Sequence, residues 1–264
     1  MTAAQAKGRG PFSNYRTWAL IALMLGIMLA IVWYMLENPK SQTFGHTVTQ
    51  VPVVQKVVAL TFDDGPNPPY TNEIVAYLHA AGVHATFFVV GRAVEAHPDV
   101  VREEVQDGDA LGNHSWDHAH LVLERRPHIQ REIAMTDAAI KRETGVTTRL
   151  FRPPFGARDY AVISVARQMG YQVIMWSVPL PHDWERPPPE VIRDRVVRYV
   201  KDGSIIVLHD GNRGKAGDRE NTVEATKLIV ETLRAQGYRF VTVPELLRLG
   251  YLDQHSASGV SSSE

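Results

Sequence analysis

Residues 61 to 67 read Thr-Phe-Asp-Asp-Gly-Pro-Asn, which sets Asp63 beside Asp64 where a β-friendly run meets a turn. Adjacent carboxylates repel unless a cation offsets one of them, so the pair directs attention to metal ligands. Farther along, His114-Ser115-Trp116-Asp117-His118 places two imidazoles four residues apart. That spacing puts both on one face of a helix, or around one turn of coil, and calls for a third ligand. Asp64 can supply it. The chain has no cysteine, which excludes a thiolate nucleophile, Cys-ligated zinc and a disulfide framework. Two His and one Asp with open positions suit a catalytic divalent ion, zinc first, with cobalt, nickel or manganese as alternatives. The metalloprotease pattern H-E-x-x-H is absent because Ser115 follows His114, and residues 63 to 74 lack the alternating acids and sixth-position Gly of a calcium loop. His120 rivals His118 on spacing alone.

Other polar clusters recur at comparable places. Arg152-Pro153-Pro154-Phe155 follows Leu150-Phe151, Asp183-Trp184 follows the apolar run 172–178, and His209-Asp210 closes the run 204–208. Strand-like runs fall at 57–62, 85–90, 172–178, 204–208 and 239–243, and Asn113-His114 is read as following a Gly-rich turn. Helical spacing is found at 71–79, 94–106, 129–143, 160–169, 189–201 and 221–235, and most of these stretches end near a glycine. The order is an alternation of β and α. Strands apolar on consecutive residues predict a parallel sheet covered on both faces, as an open doubly wound sheet or a barrel. In such folds the carboxyl ends of the strands carry the site, and most of the polar clusters sit there.

The 264 residues are 44% hydrophobic and 22% charged, enough to bury a sizeable core, and a formal charge of −1 gives no basic footprint for a nucleic-acid partner. Residues 17–36 carry no charge and suffice to cross a hydrocarbon layer of roughly 30 Å. Lys7, Arg9 and Arg16 precede that segment, which orients the N-terminus to the cytoplasm. A cleaved signal peptide is the alternative, but no A-x-A site follows. The expected organisation is a cytoplasmic tail at 1–16, a membrane anchor at 17–36, a linker at 37–55, a catalytic domain at 56–250 and a disordered tail at 251–264. The loop 211–217 has the wrong glycine spacing for a phosphate loop and is read as a flexible rim.

Five motifs in order, TFDDGP at 61–66, HSWDH at 114–118, RPPFG at 152–156, DW at 183–184 and VLH at 207–209, resemble the polysaccharide deacetylases with a NodB homology domain, carbohydrate esterase family 4. The likeness spans about residues 55–247. It implies a distorted (β/α) barrel of about seven parallel strands after one transmembrane helix, a divalent metal and an aminosugar polysaccharide as substrate, with no protein partner implied. On the same resemblance, Asp64, His114 and His118 hold the metal, Asp63 is the general base, Arg152 orients Asp63, and His209 is the acid steadied by Asp183. Phe155 stands where the family more often has Tyr and would offer its backbone N–H to an oxyanion, while Trp184 and Leu208 would line a pocket for the acetyl methyl. The run between Trp176 and Asp183 is one residue longer than the usual pattern, with Pro179 where an Asp is often found. The reading that follows is removal of N-acetyl groups from a peptidoglycan or chitin-like polymer. An O-acetyl esterase on a glycan such as xylan and a non-catalytic glycan-binding barrel are the alternatives.

Overall fold

The computed structural model describes residues 15–259, so Lys7, Arg9 and residues 260–264 lie outside the described residues. The first element is α1 (Tyr15–Glu37), followed by β1 (Val57–Asp63), α2 (Tyr70–Ala81), β2 (Thr86–Val89), α3 (Gly91–Ala96), α4 (Pro98–Gln106), β3 (Ala110–Asn113) and α5 (Arg126–Thr144). The chain continues through β4 (Leu150–Phe151), α6 (Tyr160–Gln168), β5 (Gln172–Val173), α7 (Pro189–Val197), β6 (Ile205–His209), α8 (Glu220–Ala235), β7 (Arg239–Phe240) and α9 (Val243–Gly259). All paired strands are parallel, in the order β5-β4-β3-β2-β1-β6, with β7 beside the start of β1. This is the expected distorted barrel.

The central strand β1 is buried at all seven positions, as a strand covered on both faces must be. Its alternation still sorts the side chains. Val58, Leu60 and Phe62 join the core formed with α2, α4, α7 and α8, whereas Val57 and Ala59 join the opposite core with Phe88, Phe151 and Trp176. Thr61 and Asp63 share the parity of Val57 and Ala59, so β1 delivers Asp63 to that second face at its carboxyl end.

Three local readings change. Residues 110–112, read as a turn, form β3 because the Phe88 ring occupies the space a Cβ on Gly112 would need, so the glycine lets two strands approach. The stretch 94–106 is two helices, since Pro98 lacks an N–H and starts α4 at its first turn. The run 172–178 is a strand only at Gln172–Val173.

Backbone pairing and helix reach into both of the end segments. Val48 bridges to Ile174, Gln50 bridges to Ser204, and Val51 N donates to Gly203 O at 3.0 Å, which stitches part of 37–55 to the barrel. Helix α9 runs through Gly259 across the start of the expected disordered stretch. Helix α1 has a mean hydropathy of 2.5 and none of its apolar window is buried, a length and composition that a membrane span and a signal sequence share.

Candidate active site

Strands β1 and β6 pair with Asp63 opposite His209, so the register alone brings two titratable groups to one edge. Asp63 Oδ1 accepts from Arg152 Nη1 at 2.6 Å. Arg152 is fully buried, donates also to Thr61 Oγ1 at 2.8 Å and to the carbonyls of Ile174 and Met175, each at 3.2 Å, and lies 3.9 Å over the Phe88 ring. Burial pulls the guanidinium below its usual range and Asp63 pushes it back up. One oxygen of Asp63 is thereby fixed. The other, Oδ2, stands 3.9 Å from His114 Nε2, toward the cavity.

Asp64 adopts φ of 80°, a left-handed conformation that turns its carboxylate away from that of Asp63. Arg213 N donates to its Oδ2 at 2.9 Å, while Oδ1 lies 3.0 Å from His118 Nε2 and 3.5 Å from His114 Nε2. His114 Nδ1 faces the Arg152 carbonyl at 2.7 Å. A carbonyl can only accept, so that nitrogen carries the proton and Nε2 presents a lone pair to Asp64. Two buried acceptors face to face need a cation between them, and Asp64 Oδ1 has no hydrogen-bond donor of its own.

The ligand atoms of Asp64, His114 and His118 lie within 4.8 Å of one another, and all three residues are buried. Burial lowers His118, against the opposing pull of Asp64, which favours the neutral ring that a metal requires. The donor set fits a divalent cation. Ser115, His118 and Phe155 also take positive φ, so sparsely populated conformations cluster around this site.

His209 Nδ1 and Asp183 Oδ1 are 2.9 Å apart, and Asp183 Oδ2 accepts from His209 N at 2.7 Å and Thr222 Oγ1 at 3.2 Å. Burial pulls the imidazole down, but Asp183, followed by Asp64 and Asp63, carries it up to about 9. A cavity of about 530 Å³ joins Asp63, the metal-ligand set and His209 with Phe155 and Trp184, a volume suited to a small-molecule site.

The polysaccharide deacetylase family model matches residues 50–174. Over 215 residues the chain is 37% identical to the peptidoglycan-N-acetylglucosamine deacetylase of Bacillus cereus, spanning 81% of this chain and 99% of that protein. This chain belongs to the polysaccharide deacetylase family. It is also 32% identical over 198 residues to the chitooligosaccharide deacetylase of Azorhizobium caulinodans, spanning 72% of this chain and 94% of that one. The fold matches a crystal structure of the Bc1960 peptidoglycan N-acetylglucosamine deacetylase with a TM-score of 0.73 at 29% identity, covering 76% of this chain and 92% of that one. The deacetylase match over 50–174 contains Asp63, Asp64, His114, His118, Arg152 and Phe155; Asp183, Trp184 and His209 lie beyond it and join them in space.

Within this deacetylase fold, the structure gathers Asp63, Asp64, His114, His118, Phe155, Trp184 and His209 around one cavity. Arg152 and Asp183 sit behind it, fully buried. Phe155 lies 4.5 Å from the His118 ring, and its N–H has no acceptor among the described hydrogen bonds. Trp184 stands edge-on to His209 at 5.0 Å. His120 is 5.6 Å from Phe155 and outside the group of Asp64, His114 and His118.

Leu208 departs from expectation. Strand alternation turns it into the core with α2 and α8, away from the cavity, while Val207 shares the face of His209. The loop 211–217 is likewise no free rim. Besides the Arg213 bond, Gly214 N donates to Asp64 O at 3.0 Å and Gly217 N to Asn67 Oδ1 at 3.2 Å, so the loop holds Asp64 in place. Sequence reading named Asn113 without giving it a role, though its Oδ1 accepts from Ser115 N at 3.0 Å, and it missed Glu132, which accepts from Trp116 N at 3.0 Å. Both hold the His-bearing turn. It also gave no role to Asp210, named there only as the neighbour of His209, although Asp210 is buried and held by Thr71 Oγ1 at 2.5 Å. Only its adjacency to His209 could have signalled it.

Proposed function

We propose that this chain removes N-acetyl groups from an aminosugar polysaccharide by metal-assisted hydrolysis, with peptidoglycan as the favoured polymer and chitin-like oligomers as the second. The observation that carries the reading is the opposition, across one cavity and one strand pairing, of an arginine-held carboxylate and a histidine carried up to about 9. The two environments support a base at Asp63 and an acid at His209. Asp64, His114 and His118 would hold the cation, zinc by donor type, which supplies Lewis acidity toward water and the acyl oxygen.

Asp63 takes a proton from the attacking water through Oδ2, because Oδ1 is occupied by Arg152. Water oxygen bonds to the acetyl carbon, and the Phe155 N–H is available to the oxygen that gains charge. As the C–N bond breaks, His209 delivers a proton to the departing nitrogen while Asp183 keeps its other ring nitrogen in place. Acetate and a free amine result. Trp184 and the ring of Phe155 give the sugar two apolar surfaces. The apolar α1 serves in this reading as a single-pass anchor that leaves the catalytic domain outside the cytoplasm, where such polymers lie.

The test is acetate release by the purified chain on N-acetylglucosamine oligomers and on peptidoglycan, with and without chelator, beside Asp63→Asn. Acetate with matching free amines, lost on chelation, restored by added zinc and lost in the variant is the expected result. Acetate without amines would instead identify an O-acetyl esterase, and no acetate from any substrate by metal-loaded protein would leave the binding-barrel reading.

A further inference from the structure

The segment leaving α1 is fastened to the catalytic domain by one buried arginine. Arg158 is 1% exposed and has no carboxylate partner among the described contacts; its guanidinium instead donates to the carbonyls of Gly156 at 2.9 Å, Asn38 at 2.7 Å, Pro39 at 3.0 Å, Ser41 at 2.8 Å and Leu36 at 3.5 Å. Arg158 N also donates to Leu36 O at 3.1 Å. The last carbonyls of a helix have no partner inside it, so Arg158 caps α1 from a distant part of the chain. Burial among neutral acceptors lowers its pKa to about 10.

This clamp has a geometric consequence. Glu37 lines the catalytic cavity and also a second one of about 570 Å³. The two share Glu37, Phe155, Trp176 and Leu180, while Tyr34, Lys40 and His182 stand only on the second. A polymer seated at the metal-ligand set can continue over Phe155 into that space. There it meets a carboxylate able to accept bonds from sugar hydroxyls, an ammonium able to donate, and aromatic faces suited to the apolar side of a pyranose.

We propose that the second cavity is a further sugar-binding subsite, one wall of which is the end of α1 held in place by Arg158, so that the segment 36–41 forms part of the substrate groove. The inference rests on the aminosugar reading of the catalytic site. It makes the groove depend on the chain around residue 37 remaining joined to the domain, and it sets the polymer against the end of the apolar helix.

The test uses the full chain in detergent, carrying Asp63→Asn to preserve the ligand, with binding of the N-acetylglucosamine dimer and pentamer measured by calorimetry. The pentamer is expected to bind at least tenfold more tightly than the dimer. Glu37→Ala and Lys40→Ala should each weaken the pentamer about fivefold more than the dimer. Arg158→Gln should reduce the same advantage and raise hydrogen exchange at residues 36–41 at least tenfold. Pentamer and dimer binding equally, or both weakened alike by Glu37→Ala and Lys40→Ala, overturns the subsite and leaves the deacetylase reading standing. Binding of neither oligomer overturns both. Unchanged exchange in Arg158→Gln overturns the clamp whatever the sugars do.

Discussion

Buried carboxylates meet opposite fates in two parts of this molecule. At the carboxyl edge of the sheet, Asp63 faces Arg152, Asp183 faces His209 and Thr222, and Asp64 faces Arg213 N and two imidazoles. Around α4, Glu104 is fully buried with neither oxygen partnered, and Asp109 accepts from Ala85 N at 2.6 Å. Burial drives Glu104 well above the usual range, and it carries Asp109 up to about 7 against the pull of that N–H. The same desolvation acts in both places, and the supply of cations and donors decides whether a charge survives it. Asp210 marks the boundary. It touches the site through its neighbours, yet burial, together with the charges of Asp64 and Asp63 and against the Thr71 bond, raises it to about 7.

Removing the cation should turn one behaviour into the other, which makes Arg152→Met the largest expected effect. Asp63 would be left buried without its partner, at a loss of about 3 to 5 kcal/mol of stability by analogy with broken buried pairs. Activity on oligomers is expected to fall by about a thousandfold or more at pH 7. Urea unfolding and an acetate-release assay measure the two effects. Wild-type-like stability together with activity within tenfold would show that Arg152 does not orient the base.

A smaller effect is expected from Asp183→Asn, which keeps the shape around His209 and removes the charge. Asp183 raises the imidazole, so the acid form is retained as pH rises until the folded value is passed. A cation on Asp64 cancels the part that Asp64 contributes, so the alkaline limb of kcat should lie between about 6.5 and 9 in the wild type. In the variant it should move to lower pH, with kcat at pH 8 down about a hundredfold. A limb that stays in place would show that another group is the acid.

How much of this contrast was legible before the fold depends on what each feature rests on. Asp63, Asp64 and His114 announce themselves by type and spacing, though spacing alone left His120 beside His118 as a candidate ligand, and β1 and β6 are apolar runs, so the heart of the sheet could be read directly. Leu208 was misplaced because motif adjacency ignores strand parity: neighbours on a strand face opposite sides. Strand β3 was hidden because Gly112 contributes no apolar signal, its place being defined by Phe88 on the adjacent strand. The loop 211–217 resembles any polar turn until its backbone N–H groups are seen to hold Asp64. Backbone donors carry no residue code. Nor does Arg158 announce that its partners lie over a hundred residues away.

The smallest effect tests the other arm of the contrast, at Asp109. Its folded value of about 7 lies above the ordinary 3.8 of an aspartic acid, so the folded state binds the proton more tightly than the unfolded one. That stability is present in full below about pH 4 and is lost as pH rises toward 7. Asp109→Asn keeps an oxygen for Ala85 N and cannot ionise. The variant should therefore be more stable than the parent by about 1 to 3 kcal/mol at pH 8, with the gain shrinking as pH falls toward 4 and with deacetylation unchanged at a site it does not touch. Denaturant unfolding at the two pH values measures it. A gain of the same size at both would mean that the asparagine acts through packing, and that the neutral acid at Asp109 is not what separates the helix layer from the site.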